Sequence, residues 1–394
     1  MHVNRHLNRL PDPPAPAPFF APRRSHVLRA FAAFTAVAPA SALAACRGGG
    51  SGGGGVVGPG PGPGAVVGAV SVTERQVKVS ATPDVSLQVR DWRTPGATGP
   101  VIVLLAGLGG NARYFDSLAP ALAADFSRVV AISRRGYGLS RKPLPVKSAT
   151  QHYEVGDLVA DLKAALDALG LQRVVLAGHS IAGNELTRFA GRHPERVQGL
   201  VYLDTTCNYT VDGDTGGEKP PDNKALNEPV PSDADNASLQ AAVAFNRRLT
   251  KHWWPALEAN LRDSLDLRPD GSVRPNTPDS VAEAMNFAAH HVVPDYSAVR
   301  APALVVTALP AAVRDLLPWV EEPMAPAVRQ DALTTVRLLR LLRLLRHVYQ
   351  ANANQLAAAL KTSHRLTLDN ACHTDFLMER EAEVLRAIRF MTWA

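Results

Sequence analysis

Ser180 stands in a sequence setting that is typical of a catalytic nucleophile. An apolar run at residues 174–177 leads into Gly-His-Ser-Ile-Ala-Gly, and a helix-like segment follows. This order predicts a strand, a tight turn and a helix, with the serine at the apex. Such a turn strains the serine backbone, so the residues two before and two after it must be small, and they are Gly178 and Ala182. The Ile181 N–H at the helix start can then face a developing oxyanion.

His373 is the candidate base for this serine. A serine hydroxyl is a poor nucleophile near neutral pH and needs a base to remove its proton, which histidine can do because it titrates near pH 7. A carboxylate then fixes the imidazole tautomer and stabilises the imidazolium. His373 follows a predicted strand at residues 365–368 and precedes the final predicted helix at about 379–391. A serine and a histidine so placed predict acyl transfer through a covalent intermediate.

Three stretches of the chain together resemble the α/β-hydrolase family. They are the serine turn, the loop that carries His373, and a buried-strand run at residues 101–105 that opens into Ala-Gly-Leu-Gly-Gly. The resemblance runs from about residue 71 to the C-terminus. It implies an α/β fold with a mostly parallel central sheet flanked by helices. It also puts Ser180 and His373 in the family's chain order of nucleophile, acid and histidine.

The same resemblance implies a second oxyanion donor, the backbone N–H of Leu108. The family often has His-Gly-x at this point, whereas this chain has Ala-Gly-Leu at residues 106–108. The change removes a histidine side chain that braces the loop, but it leaves the backbone donor in place. Each such donor typically stabilises the transition state by roughly 3 kcal/mol.

The resemblance leaves two candidates for the acid of the triad. Many members carry it in a loop after the strand that follows the cap, and here the first acid beyond that strand, Asp315, comes a few residues late. Asp204 ends the strand directly after the nucleophile helix, where a subset of the family, including some haloalkane dehalogenases, has its acid. We favour Asp204 and keep Asp315 as the alternative. The purely structural explanations are a helix or turn cap for Asp204 and a surface position for Asp315.

The predicted strands and helices alternate along most of the chain. Alternating elements build a mostly parallel sheet that is covered on both faces, and ligands bind beyond the carboxyl ends of its strands. The candidate residues all lie at such ends. Strands are predicted at residues 72–79, 87–92, 101–105, 129–132, 174–177, 197–203, 303–308 and 365–368. The first two of them form an antiparallel pair.

The alternation stops after Asp204, and the family resemblance implies that the region of about 207–300 is a helical cap inserted over the active site. Three helical segments are predicted there, near residues 238–251, 255–264 and 281–289. Three large apolar residues of the cap either line the substrate pocket or pack the cap onto the core: Trp253, Trp254 and Phe287. His290 and His291 are adjacent, so they cannot share a helical face as a metal pair would. No metal and no organic cofactor are expected.

The first 45 residues are typical of a targeting segment rather than of a fold. Three arginines precede an apolar stretch that is too short to span a bilayer and that ends in Leu-Ala-Ala-Cys at Cys46. This ending resembles the bacterial lipobox, in which the cysteine is lipidated; an ordinary signal peptide is the alternative. The glycine-rich residues 46–70 are interpreted as a flexible tether. The domain at 71–394 is therefore expected in the bacterial cell envelope, lipid-anchored, or else soluble and secreted.

Charge gives no case for a nucleic-acid partner. The chain has a formal charge of +6, but residues 1–45 hold five arginines and one aspartate, a net of +4, which leaves +2 for the remainder.

Two of the three cysteines lie beside proposed triad residues. Cys207 follows Asp204 closely, and Cys372 precedes His373, so the two thiols are expected near each other. In an oxidising compartment they either form a disulfide or remain separate buried thiols.

Together these patterns predict a lipid-anchored serine hydrolase that cleaves an ester or related acyl bond of a small molecule. The alternative is a catalytically inactive scaffold with a hydrolase fold. In its favour are the missing loop acid, the missing histidine beside Leu108 and a Leu-Leu-Arg repeat at residues 338–346. Haloalkane dehalogenation needs a carboxylate nucleophile, and Ser180 argues against it.

Overall fold

A computed structural model describes residues 69–205, 226–320 and 332–393. Its strands, in chain order, are β1 (Ser71–Ser80), β2 (Val85–Arg93), β3 (Val101–Leu105), β4 (Arg128–Ile132), β5 (Val174–His179), β6 (Val197–Leu203), β7 (Leu265–Leu267), β8 (Val273–Pro275), β9 (Ala303–Leu309) and β10 (Ser363–Asp369). The α-helices are α1 (Leu118–Leu122), α2 (Val155–Ala168), α3 (Ala182–Arg192), α4 (Leu239–Arg247), α5 (Pro255–Asp263), α6 (Asp279–Ala289), α7 (Val313–Leu316), α8 (Ala332–Ala359), α9 (Phe376–Glu379) and α10 (Glu381–Phe390).

Eight of these strands form one sheet, in the order β1-β2-β4-β3-β5-β6-β9-β10. The pairs β1–β2 and β2–β4 are antiparallel, and all the other pairs are parallel. The predicted α/β fold with a mostly parallel sheet, opened by an antiparallel pair, is therefore confirmed. Because the carboxyl ends of β3, β5, β6 and β10 lie at the same edge, the loops that follow them meet there.

Helices cover both faces of the sheet because successive strand side chains point to opposite sides and apolar side chains lie on both sides. Ile102 and Leu104 of β3 pack in one buried cluster with α1 and α10. Val103 and Leu105 of the same strand pack in a second cluster with α2, α3 and α8. This double cover explains why β3 to β6 are mostly apolar along their length. Among the helices within the described ranges, none has the length and apolar character that a membrane span needs.

The segment between β6 and β9 leaves the sheet and forms a cap from α4, α5, the β7–β8 hairpin and α6. Val281 and Met285 of α6 pack in one buried cluster with Leu108 and Ile181. The cap thus rests directly on the two residues expected to supply the oxyanion donors. Residues 206–225 of the predicted cap lie outside the described residues, so its boundaries stay a prediction.

A pair of asparagines ties the cap to the loop after β3. The Asn111 backbone N–H donates to Asn260 Oδ1 at 2.8 Å, and Asn111 Nδ2 donates to the Asn260 carbonyl oxygen at 2.7 Å. Both side chains are buried. Because Asn260 lies on α5, these two bonds fix that cap helix over the end of the loop that follows β3.

Candidate active site

Ser180 forms the turn between β5 and α3 in the strained conformation that its sequence predicts. Its φ is +55°, a left-handed value that side chains other than glycine rarely adopt. Its backbone N–H donates to the Leu203 carbonyl of β6 at 3.2 Å. A Cβ on Gly178 would lie 2.9 Å from Cβ of Ala182 and 2.7 Å from Cδ1 of Leu186. Space inside the turn therefore explains why the flanking residues are small.

The structure brings His373 and Asp204 together. His373 Nδ1 lies 2.5 Å from Asp204 Oδ2, and Asp204 Oδ1 accepts a 2.8 Å hydrogen bond from the Ala308 backbone N–H. Asp204 directly follows β6 and has a φ of +49°, and its own N–H donates to the Val306 carbonyl at 2.8 Å. The neighbouring strand β9 thus holds Asp204 through both its backbone N–H and its carboxylate. The side chain is oriented to accept the Nδ1 proton of the imidazole.

Asp315, the alternative acid, has other partners. Its Oδ2 accepts hydrogen bonds of 2.8 Å from the backbone N–H groups of Ala311 and Ala312, at the first turn of α7. Its Oδ1 lies 2.8 Å from Lys251 Nζ, and the side chain is fully buried rather than on the surface. These contacts show that Asp315 caps the N-terminus of α7 and pairs with Lys251, a lysine of the inserted cap region. Of the two candidate acids, Asp204 is the one that contacts His373.

The loop after β3 packs against Ser180. A Cβ on Gly107 would lie 2.9 Å from Ser180 Cβ and 2.9 Å from His179 Nδ1. Only a residue without a side chain allows this approach. The peptide group that carries the Leu108 N–H therefore lies beside Ser180, as an oxyanion donor requires. Leu108 and Ile181 share the buried cluster beneath α6.

Arg134 braces this loop, which corrects the expectation that its brace is missing. Nη1 donates to the Gly107 carbonyl at 2.9 Å, and Nη2 donates to the Ala106 carbonyl at 2.6 Å. Nη2 also lies 2.8 Å from Glu185 Oε1 on α3. The sequence analysis missed this residue. The sequence feature that could have indicated Arg134 is the pair of adjacent arginines, Arg134 and Arg135, in the loop that follows the buried strand β4.

His179 and Tyr114 hold the loop after β10 that carries His373. The sequence analysis did not identify either residue. His179 Nε2 lies 3.0 Å from the His373 carbonyl oxygen, and Tyr114 Oη donates to the Thr374 carbonyl at 2.9 Å. The two rings stack nearly parallel, with centroids 5.1 Å apart. Burial, and then the nearby His373, hold the pKa of His179 well below its usual range. Since a carbonyl only accepts, the neutral imidazole carries its proton on Nε2.

The structure also shows the contacts of the large aromatic residues and of the two adjacent histidines in the predicted cap. Trp253 and Trp254 of the cap pack against the core, and Phe287 is exposed and stacks on His291 with ring centroids 3.9 Å apart. His290 Nδ1 and His291 Nδ1 each bond a carbonyl one turn back on α6, both at 2.7 Å. In the described ranges, no group of three or more His, Cys, Asp or Glu side chains is arranged to hold a metal ion.

Cys372 is a buried thiol whose Sγ lies 3.1 Å from Thr374 Oγ1. Burial raises the pKa of this thiol to about 12, so it is protonated at neutral pH. Cys207 and Cys46 lie outside the described residues, and the pairing of Cys207 with Cys372 stays a prediction.

Comparison with known proteins supports the fold. The sequence profile of the family described as alpha/beta hydrolase fold matches residues 100–232. A crystal structure of E-2-(acetamidomethylene)succinate hydrolase aligns with 81% of this chain and 99% of its own at a TM-score of 0.51 and 20% identity. A probable hydrolytic enzyme from Pseudomonas aeruginosa aligns with 82% of this chain and 96% of its own at a TM-score of 0.53 and 20% identity. The chain has the α/β-hydrolase fold.

Curated proteins similar to this α/β-hydrolase-fold chain match it over shorter segments. Epoxide hydrolase B of Mycobacterium tuberculosis is 36% identical over 109 residues, which are 28% of this chain and 30% of that protein. Fluoroacetate dehalogenase of a Burkholderia species is 34% identical over 118 residues, 29% of this chain and 38% of that protein. A putative carbamate hydrolase of Caulobacter segnis is 34% identical over 116 residues, 29% of this chain and 41% of that protein. The chain thus spans less than half the length of these relatives.

Proposed function

We propose that this protein is a serine hydrolase that cleaves a carboxylic ester or a related acyl bond of a small molecule. The observation that carries the proposal is the meeting of four strand ends: Ser180 in a left-handed turn, Gly107 packed against its Cβ, and His373 bound to Asp204. A hydroxyl, a base with an oriented carboxylate, and a backbone donor are the parts that acyl transfer through a serine requires.

In the proposed mechanism, Ser180 Oγ attacks the acyl carbon while His373 Nε2 accepts its proton. The carbonyl oxygen becomes an oxyanion, which the backbone N–H groups of Leu108 and Ile181 bind. Asp204 accepts the Nδ1 proton of His373 and stabilises the imidazolium. His373 then protonates the leaving group as the C–O bond breaks. Water, deprotonated by the same imidazole, hydrolyses the acyl-enzyme and restores the Ser180 hydroxyl.

The chemistry of the nucleophile favours acyl bonds over other bonds that this fold can cleave. Displacement at a carbon–halogen bond needs a carboxylate nucleophile, whereas the turn between β5 and α3 holds a serine, Ser180. The scaffold alternative loses two of its three arguments, since Asp204 contacts His373 and Arg134 braces the loop that carries Leu108.

The first test is hydrolysis of short-chain and long-chain p-nitrophenyl esters by the full chain. We expect turnover that disappears in Ser180→Ala, while circular dichroism of the two proteins agrees. The pair of chain lengths reports how large an acyl group the cap admits. Turnover that survives in Ser180→Ala would contradict a serine mechanism.

We also propose that the hydrolase is anchored to the membrane of a bacterial cell envelope through a lipid on Cys46, which lies outside the described residues. The support is the Leu-Ala-Ala-Cys ending and the glycine-rich stretch after it. Mass spectrometry of the mature N-terminus tests this proposal, with Cys46→Ser as control. We expect an acylated Cys46; an unacylated mature N-terminus at another residue would contradict the anchor.

A further inference from the structure

We propose that Arg134 is a positioning residue that orients and polarises the peptide group of the Leu108 oxyanion donor. The inference rests on the proposed acyl-transfer function, because it concerns the site at which the oxyanion would form. Arg134 lies two residues beyond β4 and bonds the backbone carbonyls of Gly107 and Ala106. It therefore acts through the backbone and does not itself touch the reacting atoms.

The geometry of one peptide bond carries the first step. The Gly107 carbonyl and the Leu108 N–H belong to the same planar peptide group, with the oxygen and the hydrogen pointing in opposite directions. Arg134 Nη1 donates to that carbonyl oxygen at 2.9 Å. A charged donor on the oxygen polarises the peptide, which strengthens its N–H as a donor on the other side. The guanidinium thus increases the attraction between the Leu108 N–H and a developing oxyanion.

A second carbonyl fixes the orientation of the loop. Nη2 of the same guanidinium donates to the Ala106 carbonyl at 2.6 Å. Because the guanidinium is a rigid plane, bonds to two successive carbonyls limit rotation of both peptide groups. The Gly110 N–H also donates to the Gly107 carbonyl at 3.1 Å. The turn that presents Leu108 is therefore held by one charged donor group and one backbone bond.

Glu185 connects this brace to the other half of the oxyanion site. Its Oε1 lies 2.8 Å from Arg134 Nη2, and the two side chains are only 3% and 5% exposed. Glu185 is in the first turn of α3, the helix that starts directly after Ile181. One buried ion pair thus links the loop of the Leu108 donor to the helix of the Ile181 donor, and it sets the distance between them.

The neighbouring arginine provides a matched control. Arg135 forms a buried bidentate pair with Asp161, with both N–O distances 2.6 Å, and its Nη1 donates to the His152 carbonyl at 2.9 Å. None of these partners belongs to the loop after β3 that carries the Leu108 N–H. Neutralising the Arg135–Asp161 pair therefore removes a similar buried ion pair without changing the Leu108 peptide group.

The test compares two double variants, Arg134→Gln with Glu185→Gln and Arg135→Gln with Asp161→Asn, so that no buried charge is left unpaired. For the first, we expect kcat to fall about tenfold to a hundredfold, less than the loss of a whole donor, with KM within about threefold. Affinity for a trifluoromethyl ketone, which forms an oxyanion on the serine, should fall by the same factor. In the control, thermal stability should fall similarly while kcat and ketone affinity stay within about threefold.

Two further measurements keep the outcome decisive. Arg134→Lys retains the charge opposite Glu185 but cannot hold two carbonyls, so it should fold and still lose kcat. In protein labelled with 15N-leucine, the Leu108 amide proton should shift upfield in both Arg134 variants. A folded Arg134 variant with wild-type kcat, ketone affinity and Leu108 shift would overturn the inference alone. A wild-type chain that neither hydrolyses esters nor binds the ketone would overturn the proposed function, and this inference with it.

Discussion

His179 Nε2 donates a hydrogen bond of 3.0 Å to the backbone carbonyl of His373. The residue that precedes the nucleophile in the chain therefore holds the residue that would be its base. The rings of the two histidines lie with centroids 4.6 Å apart, and the Tyr114 ring stacks on His179 with centroids 5.1 Å apart. The relative position of Ser180 and His373 depends on this contact as well as on the ends of β5 and β10.

Replacing His179 with phenylalanine should impair the base more than the fold. The ring still stacks on Tyr114, but the donor to the His373 carbonyl is lost, at a cost of about 1–3 kcal/mol in unfolding free energy for a buried acceptor left without a partner. We expect kcat for ester hydrolysis to fall about tenfold with little change in KM, as is typical when a catalytic group is misplaced. His179→Gln, which can present an N–H in place of Nε2, should retain most of the activity. Equal rates for all three proteins would rule out this positioning role.

The buried neutral His179 should make the protein less stable in acid. Its pKa is lowered in the fold by burial and then by His373, whereas in the unfolded chain it is about 6.5. Below about pH 6.5 the unfolded chain binds a proton that the folded chain does not, so the free energy of unfolding falls as the pH falls. The limiting slope for one proton is about 1.4 kcal/mol per pH unit. Urea unfolding of wild type and His179→Gln at several pH values between 7.5 and 5 measures the difference. The variant should show the shallower slope, and identical slopes would contradict the assignment.

Asp204→Asn and Asp315→Asn should separate catalysis from stability. Asp204 contacts His373, so its amide should leave the imidazole in the wrong tautomer and lower kcat by up to about 10⁴-fold. Asp315 bonds two backbone amides and Lys251, so its amide should lower the melting temperature and leave kcat within a few-fold. Kinetics and thermal melts of both variants check this, and the reverse pattern would make Asp315 the acid.

Gly107→Ala should disrupt the loop after β3, which carries the proposed Leu108 oxyanion donor. The added Cβ would lie 2.9 Å from Ser180 Cβ and 2.9 Å from His179 Nδ1, and both of these residues are buried. We expect the loop to shift, the Leu108 donor to be misplaced and kcat to fall by about 10²-fold or more, as on losing a donor. Gly156→Ala, whose Cβ would meet no atom within 4 Å, is the control and should keep full activity. A Gly107→Ala enzyme as active as this control would mean that the loop does not supply a donor.

The sequence was most informative where local sterics decide the structure. Small residues at 178 and 182 predicted the turn around Ser180, and the apolar runs predicted the parallel sheet, because these features depend on residues that are near in the chain. The choice between Asp204 and Asp315 was harder, because both follow strands that end at the same edge. In the structure the Asp204 side chain contacts His373, whereas Asp315 turns back onto the first turn of α7.

The contacts that the sequence analysis missed all join segments far apart in the chain. Arg134 reaches carbonyls 27 and 28 residues earlier, and Tyr114 bonds a carbonyl 260 residues later. Backbone carbonyls exist at every residue, so their use as acceptors leaves no pattern in the sequence. Only the packing of the loops at the sheet edge determines which carbonyl each side chain meets.

Covalent labelling with a fluorophosphonate tests the central claim most directly. The probe reacts with a serine hydroxyl only when a base and an oxyanion site activate it, and it does not depend on knowing the substrate. The account predicts one adduct per chain, on the peptide that contains Ser180, with loss of labelling in Ser180→Ala and slower labelling in Asp204→Asn. Folded wild-type protein that remains unlabelled, or that carries the adduct at another serine, would contradict it.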